Sequence, residues 1–112
     1  MVLSSVLGFP RIGAQRELKK ITEAYWGGKA TADELIQTGK DLRAHNWKLQ
    51  KDAGVDIIAS NDFSFYDQVL DTSVLVGAVP AIYGWTGGNV SLDTYFAMAR
   101  GTKGAANVEA CC

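Results

Sequence analysis

Cysteine, histidine and proline are scarce in this sequence, which has two cysteines, one histidine and two prolines in 112 residues. Cys111 and Cys112 are adjacent at the end of the chain, where they cannot close a loop and do not match the spacing of zinc ligands. His45 has no second ligand at metal spacing, so we interpret it as a surface residue. A disulfide framework is excluded, and we expect no metal ligand in this chain.

The sequence also lacks a charge excess and a long hydrophobic run. Eleven basic residues face twelve acidic ones, so no long-range field favours nucleic acid or an anionic membrane. The apolar start over residues 2–9 is too short for a membrane span and wrongly flanked for a signal peptide, because Pro10 and Arg11 follow it. We therefore expect a cytoplasmic protein with small-molecule partners, and no binding to nucleic acid or membrane.

Hydrophobic patterning in the first half of the chain predicts two strands with two helices between them. The apolar runs at residues 3–9 and 55–60 are typical of buried parallel strands. Between them the pattern predicts a helix over residues 16–26 and a longer helix that starts with a capping box at Thr31 and ends near Gly54. Three leucines are expected along one side of the longer helix: Leu35, Leu42 and Leu49.

The second half of the chain predicts two further helices. Ser64 is expected to cap the third helix, which Gly77 ends, and Ser91 is expected to cap the fourth. The buried stripe of the third helix is expected to comprise Tyr66, Val69, Leu70, Ser73 and Val74. The inward residues of the fourth are expected to be Leu92, Tyr95, Phe96 and Ala99. Residues 84–89 are predicted to form a loop, whose glycines lack the order of a phosphate-binding loop.

The resulting order, β-α-α-β-α-α, places the chain in the α/β class. Two strands separated by helices pair in parallel through a right-handed crossover. Two strands do not make a stable sheet, however, and the chain is less than half of the roughly 250 residues of a complete (β/α)8 barrel. We therefore predict the opening portion of a (β/α)8 TIM-like barrel, incomplete, which associates or folds poorly by itself.

A basic cluster lies at the predicted ligand end, in the loop and helix start that follow the first strand. Its members are Arg11, Arg16, Lys19 and Lys20. Cations at a helix amino terminus oppose the helix dipole at a cost of about 0.3–1 kcal/mol each when exposed. This placement indicates a site for carboxylate or phosphate oxygens. The alternative is a solvated basic face on an ordinary helix.

The loop after the second strand brings further polar groups to the same end. Asn61 and Asp62 are candidate hydrogen-bonding ligands there, and Asp67 and Asp71 follow them. The alternative is that Asn61 makes local turn contacts while Asp67 and Asp71 line the solvated side of a helix.

Several long segments, in order, resemble the amino-terminal domain of the cobalamin-independent methionine synthases. They are residues 7–19 (LGFPRIGAQRELK), 46–71, 83–88 and 96–101. The resemblance implies that residues 1–112 are part of the amino-terminal (β/α)8 barrel of a two-barrel enzyme, and that the second, zinc-bearing catalytic barrel is absent from this chain. It also implies an enzyme that uses no cobalamin and moves a methyl group from 5-methyltetrahydropteroyltriglutamate to homocysteine, forming methionine.

The same resemblance implies roles for particular residues. The RELK segment, which comprises Arg16, Glu17, Leu18 and Lys19, is expected to hold the folate polyglutamate. Asn61 and Asp62 stay candidate polar residues at the ligand end. Zinc would bind the homocysteine thiol in the other barrel, so the isolated chain is expected to be inactive. One departure from the family pattern is Ala59, which stands where the family usually has proline.

Two other interpretations stay open at this point. One is a small non-catalytic α/β module that uses Arg16 and Lys19 to bind an anion or a peptide carboxylate. The other is a truncated gene product without function. The mass of the native protein separates the first of these from an enzyme segment, because only the segment belongs to a much longer polypeptide.

Overall fold

A computed structural model describes residues 1–102, and this part of the chain is mainly helical. Its helices are α1 (Glu17–Trp26), α2 (Ala32–Asp52), α3 (Gln68–Leu75), a short 3-10 helix (Ala81–Tyr83) and α4 (Leu92–Arg100). The chain divides into two units, one of residues Met1–Phe65 and one that begins at Tyr66. No helix in the described part combines the length and hydrophobicity needed to span a membrane. Cys111 and Cys112 lie outside the described residues.

Helix α1 confirms the prediction for residues 16–26 to within one residue. It begins after Arg16 and ends at Gly27. Leu18 and Thr22 are buried, and the Thr22 hydroxyl donates to the Leu18 carbonyl at 2.6 Å. Because these residues lie four apart, they share one face of the helix, which packs against α2.

Helix α2 opens with the predicted capping box. The Glu34 amide donates to the Thr31 hydroxyl at 3.2 Å, and the Thr31 amide donates to the Glu34 carboxylate at 2.7 Å. Leu35 and Leu42 are buried as predicted, but Leu49 is 44% exposed. A straight α-helix drifts by about 20° per heptad, so the third leucine has rotated away from the buried face. Leu49 still lines one cleft together with Leu42, so the two share a side of the helix although only Leu42 is buried.

The two predicted strands appear only as one parallel bridge, between Ser5 and Ile57. The amides of Asp56 and Ile57 donate to the Ser4 carbonyl at 3.2 and 3.0 Å. The parallel direction was correct, but within residues 1–102 regular strands do not form, and Leu7 and Ile57 are exposed rather than buried. A pair of strands without further neighbours is marginally stable, which accounts for the difference. The fold is mixed and mainly helical, and the barrel stays a prediction.

Helix α3 starts later than predicted because Asp67, not Ser64, is its cap. The Asp67 carboxylate accepts from the Leu70 amide at 2.7 Å, whereas Ser64 is buried ahead of the helix. Of the predicted stripe only Leu70 is fully buried, and Val69 is 70% exposed. Aspartate is as good a cap as serine, so the sequence did not distinguish the two starting points.

Helix α4 confirms its predicted cap and three of its four predicted inward residues, whereas Leu92 is only half-buried and Met98 is buried without having been predicted. The Thr94 amide donates to the Ser91 hydroxyl at 3.2 Å. The buried residues of the helix are Tyr95, Phe96, Met98 and Ala99. The preceding loop over residues 84–89 is present as predicted, and Trp85 packs against Gly77, where an added Cβ would lie 3.3 Å from the indole ring.

Candidate functional site

The RELK segment begins with a residue in an unusual backbone conformation. Arg16, the N-cap of α1, has φ 60° and ψ 36°, in the left-handed region. It is the one non-glycine residue with positive φ among residues 1–102. The Arg16 amide donates to the Gly13 carbonyl at 3.0 Å, which closes a tight turn. The Arg16 side chain is exposed and makes no capping hydrogen bond to the helix.

Glu17 contacts this turn. Its carboxylate accepts from the Gln15 amide at 3.0 Å. It also occupies the space beside Gly13, where an added Cβ would lie only 1.9 Å from the Glu17 Oε2 atom. Gly13 has φ 88°, a conformation that favours glycine. The backbone of Gly13 and the side chain of Glu17 are thus fitted to each other.

The remaining two residues of the segment point in different directions. Leu18 is buried, with 1% of its surface exposed, and its amide donates to the Ile12 carbonyl at 3.0 Å. One amide of the helix amino terminus is therefore already used inside the protein. Lys19 is exposed and its ammonium lies 3.6 Å from the Glu23 carboxylate, with both side chains about half exposed (47% and 57%).

The two predicted ligand-end loops meet, as expected for loops that leave neighbouring parallel segments. The Phe9 amide donates to the Asp62 carboxylate at 2.8 Å. The Arg11 guanidinium donates to the Ser64 carbonyl at 3.0 Å. Asp62 and Arg11 therefore hold the loops together, while Asn61 is exposed. Neither alternative for the second loop had anticipated this use of Asp62.

A cleft of about 610 Å³ lies on the side of the turn that faces α2. Phe9, Pro10, Leu42 and Leu49 contribute apolar walls, and Glu17 contributes a carboxylate. His45 also lines this cleft. The cleft is within the size range of small-molecule sites.

The described part of the chain has no candidate metal site. Residues 1–102 contain no group of three or more His, Cys, Asp or Glu side chains placed to hold an ion. The zinc that the resemblance implies therefore does not fit these residues, and we assign it no ligand here.

Sequence reasoning missed several of these contacts. The fit of Glu17 to Gly13 is tertiary and carries no sequence pattern. The ion pair between Lys19 and Glu23, by contrast, has the i,i+4 spacing from which it could have been predicted.

In the second unit, the Tyr95 hydroxyl donates to the Asp71 carboxylate at 2.5 Å and accepts from the Tyr66 amide at 3.0 Å. Asp67 and Asp71 thus serve the helix start and a buried tyrosine rather than a solvated face.

Comparison with known families decides the assignment of the chain. Residues 3–111 match the family model described as the N-terminal domain of the cobalamin-independent synthase. The chain belongs to this family. The resemblance found in the sequence is therefore confirmed.

Relatives of high identity carry the same assignment. The chain is 60% identical over 110 residues to a protein of Caulobacter vibrioides, 66% over 104 residues to one of Candida albicans and 65% over 104 residues to one of Saccharomyces cerevisiae. All three relatives are named 5-methyltetrahydropteroyltriglutamate–homocysteine methyltransferase. The matches cover 98%, 92% and 92% of this chain, but only 14%, 13% and 13% of the relatives.

The departure at Ala59 is compatible with the local contacts. Its carbonyl accepts from the Trp47 indole at 3.2 Å. A proline at this position would offer the same carbonyl, because proline lacks only the amide hydrogen.

Proposed function

We propose that this chain acts as the amino-terminal segment of a methyltransferase that converts homocysteine to methionine. The methyl group moves from 5-methyltetrahydropteroyltriglutamate to the homocysteine sulfur. The thiol loses its proton, and the folate nitrogen that gave up the methyl group takes up a proton, which yields tetrahydropteroyltriglutamate. In this proposal the segment binds the glutamate tail of the folate and is inactive alone. The observation that carries it is the pair of exposed cations, Arg16 and Lys19, in a family member whose relatives are named for a triglutamate substrate.

The charges of the segment suit an extended polyanion. The triglutamate tail presents a row of carboxylates, and guanidinium and ammonium groups bind carboxylates through charge-assisted hydrogen bonds. Arg16 and Lys19 lie at the start of α1, where the helix dipole adds to the attraction for an anion. Lys20, the next exposed base, lies outside the RELK segment.

The other proposed site residues act through the framework. Leu18 anchors the segment in the core by its buried side chain. Asp62 holds the two loops together through the Phe9 amide, and the exposed Asn61 is available as a further hydrogen-bonding group. Zinc and the homocysteine site belong, in this proposal, to a second barrel, and the enzyme works in the cytoplasm.

The proposal is tested by joining this chain to the remainder of the Saccharomyces cerevisiae relative, to give what we call the joined enzyme. Lys19→Ala should weaken binding of the triglutamyl donor by about ten- to a hundredfold, because a charge-assisted contact contributes on the order of 1.5–3 kcal/mol. The monoglutamyl donor should lose much less. Dissociation constants for both donors, measured by titration, give the ratio.

Two controls make the test specific. Lys29→Ala removes an exposed cation beyond the carboxyl end of α1, outside the basic cluster, and should leave the ratio unchanged. Added salt should narrow the difference between Lys19→Ala and the parent, because screening weakens the lost interaction. Equal losses for both donors in Lys19→Ala would place Lys19 away from the tail and contradict the proposal. Methionine formation by the isolated chain would contradict its inactive role.

A further inference from the structure

Glu17 carries the same charge as the carboxylates of the proposed ligand, so direct contact between them is unfavourable. We infer that Glu17 is a positioning residue, whose carboxylate fixes the turn from Gly13 to Arg16 and thereby sets the direction of the Arg16 guanidinium. The inference rests on the proposed function, because it assigns Arg16 to the folate tail. Within the RELK segment, Arg16 and Lys19 would then contact the ligand, and Glu17 would position Arg16.

The Glu17 carboxylate contacts the turn that precedes α1. The carboxylate accepts from the Gln15 amide at 3.0 Å, and its Oε2 atom fills the space that a side chain on Gly13 would take. A hydrogen bond from a backbone amide to a carboxylate is stronger than one between neutral groups. Glu17 therefore stabilises the middle of the turn.

The turn is fixed at its ends by the backbone. The Arg16 amide donates to the Gly13 carbonyl, and the Leu18 amide donates to the Ile12 carbonyl, both at 3.0 Å. Between these two bonds Arg16 adopts φ 60°. Left-handed backbone is unfavourable for arginine, so it persists only where the surroundings enforce it. The Glu17 contact is the one side-chain hydrogen bond described within this turn.

The consequence for binding follows from geometry. A residue in the left-handed region directs its side chain differently from one in the helical or extended regions. If Glu17 is removed, Gln15 and Arg16 can relax, and the guanidinium no longer points where the tail runs. Loss of this preorganisation should weaken binding of the carboxylate that contacts Arg16, and binding of the rest of the donor should not change.

The test compares Glu17→Ala, Glu17→Gln and Gly13→Ala in the joined enzyme, with dissociation constants for the triglutamyl and monoglutamyl donors. Glu17→Ala should weaken the triglutamyl donor by about five- to tenfold, although it removes a repelling charge, and should barely affect the monoglutamyl donor. Glu17→Gln keeps an acceptor for the Gln15 amide and should retain most of the preference. Gly13→Ala displaces the carboxylate and also strains a backbone at φ 88°, so it should lose at least as much of the triglutamyl preference as Glu17→Ala.

Each outcome bears on the inference in a defined way. Tighter or unchanged triglutamyl binding in Glu17→Ala would overturn it, because the charge would then act directly or not at all. Equal loss in Glu17→Ala and Glu17→Gln would also overturn it, because the charge rather than the turn would matter. Equal loss for both donors would overturn it as well, because Glu17 would then support the donor site as a whole rather than the contact of Arg16 with the tail. If the parent lacks a triglutamyl preference, or Lys19→Ala retains it, the proposed function fails instead.

Discussion

Removal of the Tyr95 hydroxyl should destabilise the second unit of the chain and change how its stability depends on pH. Tyr95 is buried, and its hydroxyl donates to the Asp71 carboxylate while accepting from the Tyr66 amide. Tyr95→Phe leaves both groups without this partner. Loss of such a partner in a buried setting costs about 1–3 kcal/mol, and 1 kcal/mol lowers the melting temperature of a 60–100-residue domain by about 4–8 °C.

The pH dependence has a definite sign. Burial, and then the neighbouring Asp71 carboxylate, raise the pKa of Tyr95 above its usual value of 10.0. The folded state therefore favours the neutral phenol, so this contribution to the free energy of unfolding is fully present below about pH 10 and is lost as the pH rises further. Tyr95→Phe has no phenol at this position and should lose correspondingly less stability between neutral and alkaline pH.

The assay is thermal unfolding of the joined enzyme, followed by circular dichroism at several pH values, with amide hydrogen exchange of Tyr66 as the local measurement. The Tyr66 amide should exchange its hydrogen faster in Tyr95→Phe than in the parent. Tyr83→Phe is a matched control for loss of a phenol, since Tyr83 is only half-buried in the 3-10 helix. Unchanged Tyr66 exchange together with an unchanged melting temperature would refute the reasoning.

Three further outcomes follow from contacts in the first unit. Glu23→Gln should tighten triglutamyl binding to the joined enzyme by about twofold, because it removes the ion pair with Lys19. An exposed ion pair contributes only about 0.5 kcal/mol. Weaker binding would mean that Glu23 orients Lys19. Gly39→Ala should lower the melting temperature, because the added Cβ would lie 2.9 Å from the Phe65 ring. Overpacking costs about 1–3 kcal/mol, which exceeds the roughly 1 kcal/mol gained in helix propensity. A more stable variant would show that Phe65 moves aside. Thr31→Ala should destabilise α2 by about 1 kcal/mol in thermal unfolding, through loss of the capping box, whereas Thr31→Ser should not.

Local signals made most of the helices predictable. The capping box at Thr31 and the cap at Ser91 are short-range chemistry, and both appear as predicted. The start of α3 failed because two capping residues, Ser64 and Asp67, stand three positions apart and only packing chooses between them. A leucine at every seventh position does not by itself predict burial, and Leu49 is partly exposed because a straight helix drifts by about 20° per heptad.

Non-local contacts were less accessible to sequence reasoning. The hydrophobic pattern identified which two segments pair and in which direction, but the extent of pairing depends on neighbouring strands that no local pattern supplies. At the candidate site, charge and spacing selected Arg16 and Lys19. They could not reveal that Glu17 fits against Gly13 or that Asp62 accepts from the Phe9 amide, because both contacts depend on how the loops fold.

Two departures from the usual rules of helix stability coincide at the start of α1. Arg16 takes a left-handed backbone that costs roughly 1–2 kcal/mol for a residue with a side chain, and bases outnumber acids where the helix dipole favours acids. Glycine at position 16 would relieve the first departure, whereas the ion pair of Lys19 with Glu23 offsets part of the second. Such conflicts between local preference and observed residue are expected where a binding role outweighs stability. In the proposed function, an anion held by Arg16 and Lys19 accounts for both departures, whereas a solvated basic face accounts for the charges alone.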